Sequence, residues 1–279
     1  MIRGIGMLAG QVGDAAVCTV AVRAFKEVYP ESEFTFAVAE KYRDVLPLFL
    51  HHPLITDLHV WRGYDDPHWP TQEDAEYIRW RGYDWVANAM ADHREPDWYN
   101  RRGYGAEACV CQFLPVPDDL SYELVPWMRL RKDCRKVVTL SLFPSKGSQP
   151  DKGLHFAEAE KLCLALKAKG YTPVQLGGRF EPRLENAVAP SMSILEATTL
   201  MLSSALHITA DTGFASIAAG YKHRVLGFFG RNYADLIDNR TQIPPNVNAH
   251  YLRDFVVPQN ECTAEMLVGA IEREGLLKT

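Results

Sequence analysis

The sequence predicts an α/β fold with two parallel-sheet domains in tandem. Three observations carry this reading. Short apolar runs that read as strands alternate with segments of 3-and-4 apolar spacing that read as helices, the pattern of βαβ units. The rhythm opens twice, at Ile2 and at Val137, and each time a Gly- or Ser-containing loop follows the first strand. The 279 residues, 47% of them hydrophobic, suffice for two cores of ordinary size. Pro115, Pro117 and Pro126 punctuate the stretch before Val137. The boundary is therefore expected near residues 126–134, giving domains 1–130 and 131–279, with the final helix free to pack back on the first.

The first strand is Ile2 to Leu8, followed by the loop Gly10-Gln11-Val12-Gly13-Asp14. A helix is expected from Ala15 to Val28, with Val17, Val20, Ala21, Ala24, Phe25 and Val28 on its apolar face, Asp14 as its N-cap and Pro30 beyond its end. Phe34 to Ala39 reads as a strand, Tyr42 to Phe49 as a short helix and Leu58 to Trp61 as a strand. Between Trp61 and Tyr104 the pattern is looser. In the second half Val137 to Phe143 reads as a buried strand, and Pro144 to Gly153 as a loop. A helix follows over Leu154 to Lys169, with Phe156, Ala159, Leu162, Cys163 and Leu166 inward and Gly170 at its C-terminal cap. Thr172 to Leu176 is a strand ending in Gly177-Gly178. Ser193 to Glu196 fits a capping box, which starts a helix running to Ser204. Strand His207 to Ala210, turn Asp211-Thr212-Gly213, a small-residue helix and strand Arg224 to Phe229 come next, and a last helix starts at Thr263 and ends near Gly275.

The net charge of −5 and pI near 6.0 argue against strong nucleic-acid binding. The N-terminus has no signal-peptide pattern, and no run approaches the roughly 18 apolar residues of a membrane span. The six cysteines, at 18, 109, 111, 134, 163 and 262, fit neither a zinc site nor a redox pair. A cytoplasmic protein with reduced, mostly buried thiols is expected.

Four constellations carry possible chemistry. Asp14 stands at the end of a strand and the start of a helix, where a carboxylate serves either as a general base or as a helix cap. The loop Pro144 to Gly153 brings Ser145, Ser148, Lys146 and Lys152 to a helix start, which suits a pyrophosphate or is simply a solvated loop. Asp211-Thr212-Gly213 lies at the carboxyl end of a strand before a helix, where open sheets bind anions, or Asp211 merely caps that helix. Five of the six tryptophans (61, 69, 80, 85 and 98) are interleaved with Arg62, Arg79, Arg81, Arg94, Arg101 and Arg102, which suits sugars and anionic acceptors or plain packing. There is no G-x-G-x-x-G, no P-loop, no H-E-x-x-H, no G-x-S-x-G and no Asp-x-Asp, so no metal-bridged nucleotide is expected.

Taken in order, these segments resemble the ADP-heptose:lipopolysaccharide heptosyltransferases, glycosyltransferase family 9. The matching segments are Gly13-Asp14 before VAVRAFKEVYP, Lys152 in PDKGLHFAEAEKLCLALKAKGYTPVQLGG, Ser193-Ile194-Leu195-Glu196, and Ala210-Asp211-Thr212-Gly213 before IAAGYKHRVLGFFG. The resemblance is strong in the second half and weak between residues 61 and 130. It implies a GT-B fold, with two Rossmann-like βαβ domains facing each other across a cleft. It also implies an inverting, metal-independent transfer of a sugar, such as a heptose, from a nucleotide diphosphate sugar, ADP-linked in that family. Asp14 takes the position of the general base, and Lys152 that of the phosphate-binding lysine. Gly13, Ser145, Ser148, Gly178, Asp211, Thr212, Gly213 and Ser216 complete the implied donor site. The family usually places a histidine where Ser216 stands, and its members are longer than this chain. No cofactor and no metal are implied beyond the donor substrate. The implied acceptor is a glycan or lipid-linked saccharide, with at most peripheral membrane contact. The remaining readings are a nucleotide-sugar epimerase of the same fold and a non-catalytic nucleotide-sugar-binding relative.

Overall fold

The computed structural model describes residues 1–7, 12–17, 19–61, 72–88, 124, 129–130, 134–143, 153–178, 181–210, 212–228, 249–251 and 262–277. The chain divides into two compact units, one built on Met1–Trp127 and the other on Met128–Asp235 and Pro245–Thr279.

The first unit runs β1 (Arg3–Met7), α1 (Val12–Val17), α2 (Thr19–Val28), β2 (Glu33–Ala39), a 3₁₀ helix (Glu40–Phe49), β3 (Asp57–Trp61), α3 (Gln72–Arg81) and β4 (Trp85–Asn88). Its sheet has the order β3-β2-β1-β4, all parallel. Side chains alternate across a strand, so the two faces of this sheet take different partners. On one face Phe25 of α2 meets Phe34 and Trp85, each at a ring separation of 5.1 Å. The same ring lies over Gly4, where a β-carbon would stand 2.6 Å from Phe25 Cζ. On the other face Ile5, Ala37 and Trp61 form a buried cluster with Tyr77, Ile78 and Tyr83 from α3 and the turn after it.

The first helix differs from the expected Ala15–Val28. Helix is already present at Val12, three residues before the expected start, and the described helical residues are Val12–Val17 (α1) and Thr19–Val28 (α2). Asp14 is therefore the third residue of α1 and not the N-cap. Val28, expected on the apolar face, is the last residue of α2 and is exposed. The helix expected over Tyr42–Phe49 is 3₁₀ from Glu40, with Pro47 inside, where its missing N–H rules out a regular α-helical ladder.

The second unit runs β5 (Val137–Ser141), α4 (Phe156–Ala168), β6 (Thr172–Gln175), α5 (Ile194–Ser203), β7 (Leu206–Thr209), α6 (Gly213–Gly220), β8 (Val225–Gly227), β9 (Ala249–Tyr251) and α7 (Ala264–Arg273). Its parallel sheet has the order β6-β5-β7-β8-β9. Val138, Leu140, Leu162, Leu166, Ile208 and Leu226 lie in one core with Leu267, Ala270 and Ile271 of α7. The final helix thus belongs to this core. Its start is held by Glu158 of α4, which accepts from Ala264 N at 2.9 Å, and its last turn by the Lys169–Glu272 ion pair.

Helix ends follow the sequence closely. Ser193 and Glu196 form a reciprocal capping box, and Thr263 Oγ1 accepts from Met266 N at 3.3 Å. Gly170 and Gly275 take φ of +80° and +59° just past helix ends, a conformation that favours glycine. Phe156, expected inside, is 40% exposed, since it opens α4 at the rim of the sheet and stacks only on Phe143 at 6.4 Å. Cys134, Cys163 and Cys262 are buried free thiols, and burial pushes Cys163 and Cys262 up to about 12, which keeps them inert. No described helix is long and apolar enough to cross a membrane.

Candidate functional site

Strand order determines where each sheet can hold a ligand. In the first sheet β1 lies between β2 and β4, so the chain turns opposite ways on either side of β1. In the second β5 lies between β6 and β7. Each is a topological switch point, where the loops diverge and open a crevice at the carboxyl ends of the strands. The residues singled out in the sequence follow β1, β5, β6 and β7, the strands that border these two points.

After β1 the chain enters α1 at Val12, with Gly13 buried and Asp14 in the first helical turn. Gly10 and Gln11 lie outside the described residues, as does the side chain of Asp14.

In the second unit three strand ends share one edge. β6 leads to Gly177 and Gly178, both exposed. β5 leads to Phe143, and the chain returns at Gly153 and Leu154, whose N–H donates to Leu142 O at 2.9 Å. Ser145, Ser148 and Lys152 fall between and lie outside the described residues. β7 leads to Thr212, Gly213 and α6, with Asp211 likewise outside. Thr212 is the N-cap of α6, in extended conformation (φ −132°, ψ 165°), but its side chain does not cap. Its hydroxyl lies 3.0 Å from that of Thr209. Where the N-cap side chain makes no cap, N–H groups and the positive end of the dipole can serve an anion. Ser216 is half-buried in the second turn of that helix's start.

The structure adds a residue that sequence reasoning missed. Glu181 folds back over the end of β6, where its Oε1 accepts from Gly178 N at 2.9 Å. Its Oε2 is buried and has no hydrogen-bond partner among the described residues. Burial, opposed by the Gly178 N–H, raises the carboxyl to about 6. A β-carbon on Gly177 would stand 2.5 Å from Glu181 Cδ, so this approach requires glycine. The Gly177-Gly178 pair was the available signal, but a glycine pair does not say which side chain will lie against it.

The described residues of the tryptophan–arginine stretch divide between packing and exposure. Trp61 is fully buried, and Trp85 packs on Phe25 and Phe34. Both sit on strands facing helices. Arg81 pairs with Asp57 at 2.8 Å and lies 5.9 Å from the rings of Tyr77 and Trp80. Trp80 itself is 77% exposed. Trp69, Trp98, Arg62, Arg94, Arg101 and Arg102 lie outside the described residues. Among the described residues no group of three His, Cys, Asp or Glu side chains could hold a metal ion.

Two parallel α/β units, each with its switch point after its first strand, define the GT-B class of glycosyltransferase folds, and comparison with solved structures shows that fold. The chain is similar over its whole length to a family 9 glycosyl transferase from Veillonella parvula (TM-score 0.73, 15% identity, 100% of this chain and 98% of that one). It is also similar to E. coli ADP-heptose lps heptosyltransferase II (0.71, 14%, 99% and 98%). The E. coli heptosyltransferase WaaC, solved with ADP, is a third (0.68, 15%, 98% and 99%). No family model and no curated protein sequence matches the chain. At these identities the likeness is one of fold.

Proposed function

We propose that the chain is an inverting glycosyltransferase that moves a sugar from a nucleotide diphosphate sugar to a hydroxyl of a glycan or lipid-linked acceptor, without a metal ion. The observation that carries this reading is fold likeness over 98–100% of the chain to sugar transferases, two of them named for heptosyl transfer. It is joined by the start of α6, which follows β7 and where the Thr212 side chain makes no cap. The names of those relatives support an ADP-linked donor, with a heptose as the sugar.

In this reading the donor lies against the second unit. Lys152, Ser145, Ser148 and the start of α6 at Thr212-Gly213 offset the charge on the leaving diphosphate, with Asp211 and Ser216 beside them. Glu181 and the Gly178 backbone engage a hydroxyl of the donor, since an unpaired carboxylate oxygen accepts from O–H groups. Asp14 removes the proton of the acceptor hydroxyl as its oxygen forms a bond to the anomeric carbon. The bond from that carbon to the diphosphate breaks in the same displacement, so the configuration inverts and the negative charge leaves with the nucleoside diphosphate.

The test is thermal unfolding against ADP-, UDP-, GDP- and dTDP-sugars. One of them, ADP-linked by expectation, should stabilise the fold by about 2.7 kcal/mol at a hundredfold excess over its Kd. Transfer to an acceptor should survive EDTA. Failure of all four to shift unfolding would overturn the reading, and turnover of the donor with no acceptor present would favour an epimerase.

A further inference from the structure

The loop that carries Glu181 is pinned from one buried side chain. Gln175 ends β6, the edge strand of the second sheet, and its side chain is buried. Its Nε2 donates to Pro182 O at 2.8 Å, and its Oε1 accepts from Leu184 N at 3.0 Å. A primary amide is the side chain that offers one donor and one acceptor side by side, as these two backbone groups require. The backbone continues the attachment. Gln175 N donates to Val188 O at 2.8 Å, Val188 N donates to Pro173 O at 3.0 Å, and Val174 and Val188 form a parallel bridge.

Glu181 therefore sits between two anchors. Upstream, its own N–H donates to Gly178 O at 3.1 Å and Gly178 N–H donates back to Oε1. Downstream, the next residue, Pro182, is held by Gln175. A buried carboxylate oxygen without a partner is drawn toward water, so something must keep it in place. The Gly178 bond holds only the other oxygen. Among the described residues burial and the Gly178 N–H set its ionisation, with no charged side chain contributing.

We propose that Gln175 is a positioning residue. Its amide clamps residues 182 and 184 and thereby holds the Glu181 carboxylate, one oxygen unpaired, over Gly177 at the ligand-binding edge of the sheet. The functional weight of the clamp rests on the transferase reading, in which Glu181 accepts a donor hydroxyl. Its geometric content does not.

The experiment compares the wild-type protein with Gln175→Met, which keeps the length and removes the amide, and Gln175→Glu, which keeps an acceptor for Leu184 N–H and loses the donor to Pro182 O. The Glu181 carboxyl is titrated by NMR on protein labelled at the glutamate Cδ, with Glu181→Gln identifying the resonance. The Glu181 midpoint should fall by about one pH unit in Gln175→Met, a tenfold change in proton affinity. In Gln175→Glu the added carboxylate pushes the other way by like-charge repulsion, so the Glu181 midpoint should lie above that of Gln175→Met. ADP binding, measured by calorimetry, should weaken in both. An unmoved midpoint in Gln175→Met, or undiminished ADP binding in Gln175→Glu where Gln175→Met does not fold, would reduce Gln175 to packing and overturn the proposal. If wild-type protein fails to bind ADP or any nucleotide sugar, the transferase reading falls, and the titration alone still decides the clamp.

Discussion

The hydroxyl of Thr212 donates to the hydroxyl of Thr209, 3.0 Å away. The direction follows from the proton count, since Thr209 gives its single hydroxyl proton to Ala210 O at 2.7 Å. Thr212, at the start of α6, is thus tied back to β7. Thr209→Val and Thr212→Val should each destabilise the fold by about 1 kcal/mol, and the double variant by less than their sum. Urea unfolding of the four proteins measures this coupling. Strictly additive losses would mean that the pair does not interact.

Asp14→Asn should nearly abolish transfer while leaving donor affinity close to wild type. Loss of a general base costs on the order of a hundred- to ten-thousandfold in rate. Asp14 is the third residue of α1, so loss of a negative charge near the helix start should cost only about 0.5 kcal/mol of stability. Initial rates at saturating donor check the first statement, and thermal unfolding the second. Full activity in Asp14→Asn would confine Asp14 to a structural role.

Lys152→Ala should weaken the binding of ADP far more than that of adenosine. A cation at the loop before α4 makes charge-assisted hydrogen bonds that only the diphosphate can accept. Calorimetry with both ligands on both proteins gives the comparison, and equal losses would place Lys152 away from the phosphates.

Stability should fall as the solution is acidified below pH 6.5. His207, a fully buried residue of β7, bonds through Nδ1 to Thr139 Oγ1 at 3.0 Å, and a chain of hydroxyls continues through Ser204 to His223. Burial, with His223 nearby, pushes His207 down to about 3, and burial with Arg224 pushes His223 down to about 4. Both stay neutral in the folded chain while the unfolded chain takes up protons from pH 6.5 downward. Their stabilisation is complete above that value and is lost toward pH 4, at up to about 1.4 kcal/mol per pH unit for each group. Glu181 acts in the opposite sense between about 6 and 4.5, where the folded chain holds the extra proton, but one carboxyl does not offset two imidazoles. The unfolding midpoint in urea across pH 4–8 tests the trend, and His207→Gln should flatten it.

Features set by local chemistry were legible in the sequence. The capping box at Ser193, the Thr263 cap and the left-handed glycines at 170 and 275 depend on neighbours within a few residues, and all stand where the pattern put them. Features set by tertiary packing were not. α3 and β4 went unread because α3 buries little: of its ten residues only Asp74 is buried, and Trp80 points into water, so no apolar period forms. Glu181 escaped because its setting depends on Gly177, Gly178 and the clamp from Gln175, none of which marks a glutamate in advance. The switch points at β1 and β5 were not legible either, because strand order depends on which side each crossover takes, and the local pattern does not record that.

The bond from Ala264 N to Glu158 spans 106 residues of chain. The hydrophobic cluster behind β5 stays open on one side until Leu267, Ala270 and Ile271 arrive. On a ribosome adding about 5–20 residues per second, the second unit must wait several seconds with that side unsealed, although β5 and α4 have long emerged. During that interval the nascent polypeptide presents a sticky aliphatic surface to chaperones and to other chains. Yield in a living cell should therefore depend on how promptly α7 follows the segment it seals.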